Sequence, residues 1–214
     1  MPLSRAQETA SSIRDAGGQV LALHVDTGDP TSIAAMAAEV ERELGGADIL
    51  VNNAGWRPWP AGDHYEFVDR ELDSIDQWAT VLRVNALGPL FCGRAIRPLM
   101  ARRGGGAVVN MNSIAGYTQD LGAYAVSKMA LRGVTAQLAT ELAPDGIRVN
   151  ALAPTAMTQR GAPELYEPLL DKQLIKRFGT PEDLVGPLLF FCSDRSAFIT
   201  GETLLVDGGL LSRR

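Results

Sequence analysis

Short runs of aliphatic and β-branched residues recur along the chain between longer stretches in which apolar residues return every three or four positions. The runs are QVLALHV (19–25), ADILVNN (47–53), GAVVNMN (106–112), GIRVNAL (146–152) and TLLVD (203–207). They are nearly continuous rather than alternating, which predicts strands covered on both faces. The stretches between them carry helix start and stop signals. DPTSIAAMAAEVERELGG (29–46) opens on an Asp-Pro pair suited to a cap and first turn and closes on Gly45-Gly46. TPEDLVGPLLFFCSD (180–194) opens on Thr180 and Pro181, followed by two acids. Strand and helix therefore alternate, and the pattern predicts an α/β fold with a doubly wound parallel sheet and helices on both faces.

No repeat, low-complexity tract or linker interrupts the alternation, so residues 1–214 read as a single domain. The exception to regularity is WRPWPAGDHYEFVD (56–69), rich in Pro, Gly and aromatics. It reads as a long loop after a strand end, where open α/β sheets bind ligands.

Composition narrows the class. With 214 residues and 46% hydrophobic content, the chain can bury a substantial core. No apolar run approaches the ~20 residues needed to cross a bilayer, and MPLSRAQETASS at the N-terminus has no hydrophobic signal core. These features predict a soluble, cytoplasmic protein without membrane association. Cys92 and Cys192 lie in apolar surroundings and read as small buried hydrophobes. His24 and His64 are separated from each other and from the cysteines, so no metal site is expected. A net charge of −5 with scattered basic residues argues against nucleic-acid binding. A neutral or cationic small molecule, or a cofactor, is the expected partner.

Candidate chemistry centres on GAYAVSKMALRG (122–133), in which Tyr124 and Lys128 stand four apart. On a helix that spacing puts them on one face, with Cβ atoms about 5–6 Å apart. A phenol titrates near pH ~10, and a neighbouring ammonium stabilises its anion, so the pair suits proton transfer; an ordinary helix surface explains the same spacing. Ser113 ends the run AVVNMNS, which places its hydroxyl at the C-terminal edge of the sheet or simply starts a loop. Asn53, Ala54 and Gly55 follow ILVN; small groups there let a flat ligand approach the backbone, or make a tight turn.

Taken together, NNAG (52–55), RVNALGPLF (83–91), NSIAG (112–116), YAVSK (124–128), IRVNALAP (147–154) and ITGETLLVDGG (199–209) resemble the short-chain dehydrogenase/reductase family in order and approximate spacing, over nearly the whole chain. The resemblance implies a Rossmann-like fold and NAD or NADP as cofactor, the preference being unreadable. It implies an oxidoreductase that interconverts a secondary alcohol and a ketone, and a homo-oligomer. Tyr124 would be the general acid/base and Lys128 would lower its pKa and bind the nicotinamide ribose. Ser113 would orient the substrate oxygen, and Asn85 would hold a water in a proton relay. Asp26 looks like the family's acid beside the adenine, although VDTGDP also suits a turn and cap. Asn53, Ala54, Gly55, Tyr124, Lys128, Pro154 and Thr158 fall at cofactor-contacting positions of the pattern.

The family pattern begins with a strand, a glycine-rich turn and a helix that receives the pyrophosphate. No Gly-x-x-x-Gly-x-Gly occurs here, and MPLSRAQETASSIRDAGGQV resembles the helix after the family's second strand. The expectation is that the first strand, glycine-rich turn, first helix and second strand are absent. The alternative to an active oxidoreductase is therefore a truncated, catalytically silent protein of the same fold that binds no dinucleotide. Trp56, Trp59, Tyr65 and Phe67, with Leu165, Tyr166, Leu169 and Leu170, suit an apolar substrate wall, core packing or a subunit contact equally.

Overall fold

The computed structural model describes residues 3–57, 74–118, 122–157 and 167–211. Its helices are α1 (Leu3–Asp15), α2 (Pro30–Leu44), α3 (Ile75–Leu82), α4 (Gly88–Ala101), α5 (Gly122–Leu142), α6 (Glu167–Lys172) and α7 (Glu182–Cys192). The strands are β1 (Ile49–Asn52), β2 (Gly106–Met111), β3 (Ile147–Pro154) and β4 (Thr203–Val206). They form a four-stranded sheet in the order β1-β2-β3-β4, and every pairing is parallel. The caps read from sequence operate at α2: the Asp29 carboxylate accepts the Thr31 N–H, and Gly45 closes the helix in the left-handed conformation at φ 71°.

Side-chain alternation along the strands shows how the layers are arranged. Leu50, Val108 and Val149 lie in register across β1, β2 and β3 and pack with Ile96, Leu99, Leu138 and Leu142 of α4 and α5. Val109 and Leu152 point the other way and pack with Leu188 and Phe191 of α7. The sheet is thus covered on both faces, and the α/β expectation holds. The cover is incomplete at β1, where Ile49 and Val51 are 48% and 38% exposed on the α7 side.

The strand expected at 19–25 is absent: residues 18–26 carry no strand or helix. An apolar run becomes a strand only where a neighbour takes its backbone hydrogen bonds, and among the described residues β1 pairs with β2 alone. Residues 20–23 are half-buried without joining the sheet.

Buried polar side chains hold the layers in register. Asn52 Nδ2 donates to Asn110 Oδ1 (2.8 Å), and Asn110 Nδ2 donates to Thr135 Oγ1 (3.0 Å), linking β1, β2 and α5. All three residues are buried, so the chain of bonds satisfies groups that water cannot reach. Arg148 of β3 donates to the Phe191 and Ser193 carbonyls at the end of α7, where a cation also suits the helix dipole. Beyond β4, the Gly208 carbonyl accepts from Leu174 and Ile175 N–H, both at 2.9 Å.

No helix among the described residues is long and apolar enough to cross a membrane. Among the same residues no three His, Cys, Asp or Glu side chains are grouped to hold a metal ion. Thr158, Trp59, Tyr65, Phe67, Leu165 and Tyr166 lie outside the described residues.

Candidate active site

Tyr124 and Lys128 sit in the first turns of α5, which runs from beside the C-terminal end of β2. Lys128 is 4% exposed, and its Nζ donates to the Met111 carbonyl at 2.7 Å, tying the helix to the last residue of β2. The same Nζ lies 5.6 Å from the centroid of the Tyr124 ring. Burial pushes the Lys128 pKa down to about 8, so the group still carries its charge at neutral pH. A buried ammonium held beside a half-buried phenol is the arrangement that stabilises a phenolate. The sequence spacing, by itself explained by a solvated helix face, here belongs to an enclosed pair.

The loop before α5 can lie this close because Gly116 has no side chain. A Cβ at that position would stand 2.9 Å from the Lys128 carbonyl oxygen. This contact seats the 3₁₀ turn Ile114–Tyr117 against α5. Ser113 precedes the turn, and its hydroxyl accepts the Ala115 N–H at 3.2 Å, while its own N–H donates to Asn112 Oδ1. Ser113 is thus held two residues beyond the carbonyl that anchors Lys128, with its hydroxyl hydrogen still available to donate.

Asn85 is fully buried in a π-helical turn, Arg83–Leu87, between α3 and α4. Gly88 and Pro89 follow directly, and the extra residue of the π turn distorts the helix at this point. The Asn85 amide clamps the backbone of Trp56: its Oδ1 accepts the Trp56 N–H (2.7 Å) and its Nδ2 donates to the Trp56 carbonyl (2.9 Å). Nδ2 also donates to Ser127 Oγ (3.0 Å), which donates in turn to the Tyr124 carbonyl (2.7 Å). A continuous path therefore joins the loop after β1 to the helix carrying Tyr124. One Oδ1 lone pair is left over.

Replacing Asn85 by Ala strips partners from the Trp56 backbone and from Ser127, which is fully buried. The expected cost is about 2–3 kcal/mol, measurable by urea denaturation at equilibrium.

Asn53, Ala54 and Gly55 run exposed from the end of β1 to this clamp, and a Cβ on Gly55 would meet only Asn85 Oδ1, at 3.7 Å. Pro154 ends β3 in register with Val206. The Asp26 carboxylate accepts the Gly28 N–H (2.8 Å), which makes a turn ahead of α2. That turn leans on the π segment: a Cβ on Gly88 would come 2.8 Å from the Thr27 carbonyl oxygen.

Several site features escape sequence reasoning. Asn112 Nδ2 and Thr155 Oγ1 are buried at the C-terminal ends of β2 and β3 and have no hydrogen-bond partner among the described residues. Unsatisfied buried donors at a sheet's ligand-binding edge fit a polar, planar ligand group such as a nicotinamide carboxamide. Their position immediately beyond a strand was the available signal. Ser127, hidden between Tyr124 and Lys128, and Arg57 beside the Tyr124 ring gave no such signal.

Known proteins resemble the chain in sequence and in fold. The family profile described as enoyl-(acyl carrier protein) reductase matches residues 3–211. Dehydrogenase/reductase SDR family member 4 of Sus scrofa is 38% identical over 194 residues, covering 86% of this chain. The chain spans 66% of that protein's length and 61% of the Mus musculus counterpart. A crystal structure provisionally assigned as a short-chain alcohol dehydrogenase from Sinorhizobium meliloti superposes with TM-score 0.85 at 36% identity, covering 96% of this chain and 82% of that one. Another, provisionally assigned as an NAD(P)-dependent gluconate 5-dehydrogenase from Beutenbergia cavernae and carrying NADP at low occupancy, gives TM-score 0.82 at 34% identity, with 96% and 82% covered. On the extent of these matches and the motifs that carry them, the chain belongs to the short-chain dehydrogenase/reductase family of oxidoreductases.

Proposed function

We propose that the protein interconverts a small-molecule secondary alcohol and a ketone using NAD or NADP, with Tyr124 as the general acid/base. The observation that carries this reading is the enclosed pair: the Lys128 ammonium, buried and anchored on the Met111 carbonyl, 5.6 Å from the Tyr124 ring. Burying an ammonium costs free energy, and strongly perturbed groups of this kind concentrate at functional sites, which supports the reading.

In ketone reduction the Tyr124 hydroxyl gives its proton to the carbonyl oxygen, and Lys128 stabilises the phenolate left behind. Ser113 donates to the same oxygen. Asn85 holds the Trp56 turn and, through Ser127, the helix that positions Tyr124. Asn85 thereby acts as a positioning residue, with its remaining lone pair suited to a relay water. Asn53, Ala54, Gly55, Asn112, Pro154 and Thr155 line the edge that would hold the nicotinamide half, and Asp26 and Thr158 are proposed contacts as well. The bound cofactor supplies the hydride chemistry. Thr155 joins this set through its buried hydroxyl, which has no partner among the described residues.

A homo-oligomer belongs to the same proposal. Gly133, in the middle of α5, would meet nothing within 4 Å if given a Cβ, and it neighbours exposed Val126 and Met129. Glycine inside a helix costs about 1 kcal/mol relative to alanine, so close approach by a second copy gives it a use.

Calorimetric titration with NADH and NADPH tests the reading. Dissociation constants in the micromolar range for at least one of them are expected. Failure of both to bind would favour a catalytically silent member of the family instead.

A further inference from the structure

Arg132 follows Lys128 by four residues, so Tyr124, Lys128 and Arg132 stand on successive turns along one side of α5. The two cations reach the same short segment of chain. Lys128 Nζ donates to the Met111 carbonyl at 2.7 Å, just before Ser113. Arg132 Nη1 donates to the Gly116 carbonyl at 3.4 Å, just after it. The Arg132 guanidinium also lies over the Tyr117 ring, with Cζ 4.1 Å from the centroid, well inside the ~6 Å reach of a cation–π contact. Ser113 is therefore bracketed by ties to consecutive turns of one helix.

The segment depends on such ties. Ile114–Tyr117 is a single 3₁₀ turn, whose hydrogen bonds have poorer geometry than those of an α-helix. The missing side chain of Gly116 permits close approach to the Lys128 carbonyl but does not hold the turn there. On its upstream side the turn is fixed by the Ser113 N–H, which donates to Asn112 Oδ1 at 2.9 Å. On its downstream side Arg132 supplies the hold. Arg132 forms no ion pair among the described residues, and its guanidinium contacts go to Gly116 and Tyr117.

Resting on the alcohol–ketone reading above, we infer that Arg132 is a positioning residue: by stacking on Tyr117 and holding the Gly116 carbonyl, it fixes the turn that aims the Ser113 hydroxyl at the substrate oxygen. Small displacements of a group that must meet a reacting atom are costly in rate. Lys128 also faces Tyr124, whereas Arg132 faces the turn, so replacing Arg132 leaves the acid/base pair in place.

The test is a double-mutant cycle on the full chain. Reduction of a panel of aliphatic and aromatic ketones is measured with NADH and NADPH for wild type, Arg132→Ala, Ser113→Ala and the double variant, by single turnover where steady-state rates are too slow. Arg132→Ala is expected to lower kcat about 5- to 20-fold, leaving cofactor affinity within about twofold and the midpoint of the pH profile in place. In the Ser113→Ala background the same substitution should change kcat by less than about twofold, because the group being positioned has gone. Tyr117→Phe should match wild type, and Arg132→Lys should keep part of the rate. Amide hydrogen exchange needs no turnover: the Ala115, Gly116 and Thr118 N–H groups should exchange about 10-fold faster in Arg132→Ala while α5 keeps its protection. Equal losses of kcat in both backgrounds, or unchanged exchange in the turn, overturn the inference. Faster exchange with an unaltered kcat overturns it as well. Faster exchange in a protein that reduces no ketone would uphold the tie on the Ser113 turn and remove the alcohol–ketone reading, so the two failures are distinguishable.

Discussion

Tyr124→Phe is expected to lower turnover about 10²- to 10⁴-fold while leaving NADH or NADPH affinity within about twofold. The substitution removes one hydroxyl and keeps the ring, so the contacts that Arg57 and Lys128 make with the aromatic face persist. What disappears is the proton that must reach the carbonyl oxygen as hydride arrives. Ser113 cannot replace it, because an alkoxide lacks the stabilisation that an adjacent ammonium gives a phenolate. The measurement is kcat for any ketone the wild type reduces, alongside calorimetric binding of the cofactor. A variant as fast as wild type would remove Tyr124 from the mechanism.

Lys128→Met is expected to separate activity from stability. Turnover should fall by at least about 10²-fold, because the Tyr124 phenolate loses its counter-charge. Stability at neutral pH should rise by about 1–2 kcal/mol, or roughly 2–4 °C in Tm per kcal/mol for a chain of this size. The native state holds Lys128 at a pKa of about 8 against 10.5 for the ordinary group, so keeping it charged in the fold costs roughly 3 kcal/mol. Losing the hydrogen bond to the Met111 carbonyl offsets roughly half of the relief.

The pH dependence has a definite sign. Between pH 8 and 10.5 the unfolded chain binds the proton that the native state has shed, so this group makes wild-type stability rise with pH across that window. Lys128→Met should show no such rise. Denaturant titrations from pH 7 to 10.5 read the difference, and a variant less stable than wild type at pH 7 would mean that the ammonium is a structural tie.

How much of this was legible in advance depended on the range of the forces involved. The α2 boundaries at Asp29 and Gly45 were readable because caps are local. Four of the five apolar runs became strands, and the fifth, 19–25, did not. Composition marks a segment as fit for a sheet, but the ladder comes from another segment. The apolar character of β1 likewise promised cover on both faces, whereas Ile49 and Val51 are exposed on one.

The site divides along the same line. Tyr124 and Lys128 share a helix face by a spacing of four, a fact of helical geometry that any reader of the chain can use. Ser113 and Asn53–Gly55 were placed at strand ends by the end of each apolar run. None of this shows that Lys128 is buried, that its ammonium rests on Met111, or that Asn85 holds Trp56 from 29 residues away. The Asn52–Asn110–Thr135 chain spans the sheet and α5 in the same non-local way.

By itself, then, the order of residues determined the α/β alternation, the capped helix α2 and the pairing of a phenol with an ammonium one helical turn apart. Those features arise within a few residues, from dihedral preference, capping and side-chain period. Tertiary structure alone decided the burial that lowers the Lys128 pKa, the clamp on the Trp56 turn, the unsatisfied donors Asn112 and Thr155, and the approach of Arg57 to Tyr124. Each of these requires distant segments to exclude water together, and desolvation is a property of the packed chain that no local pattern carries.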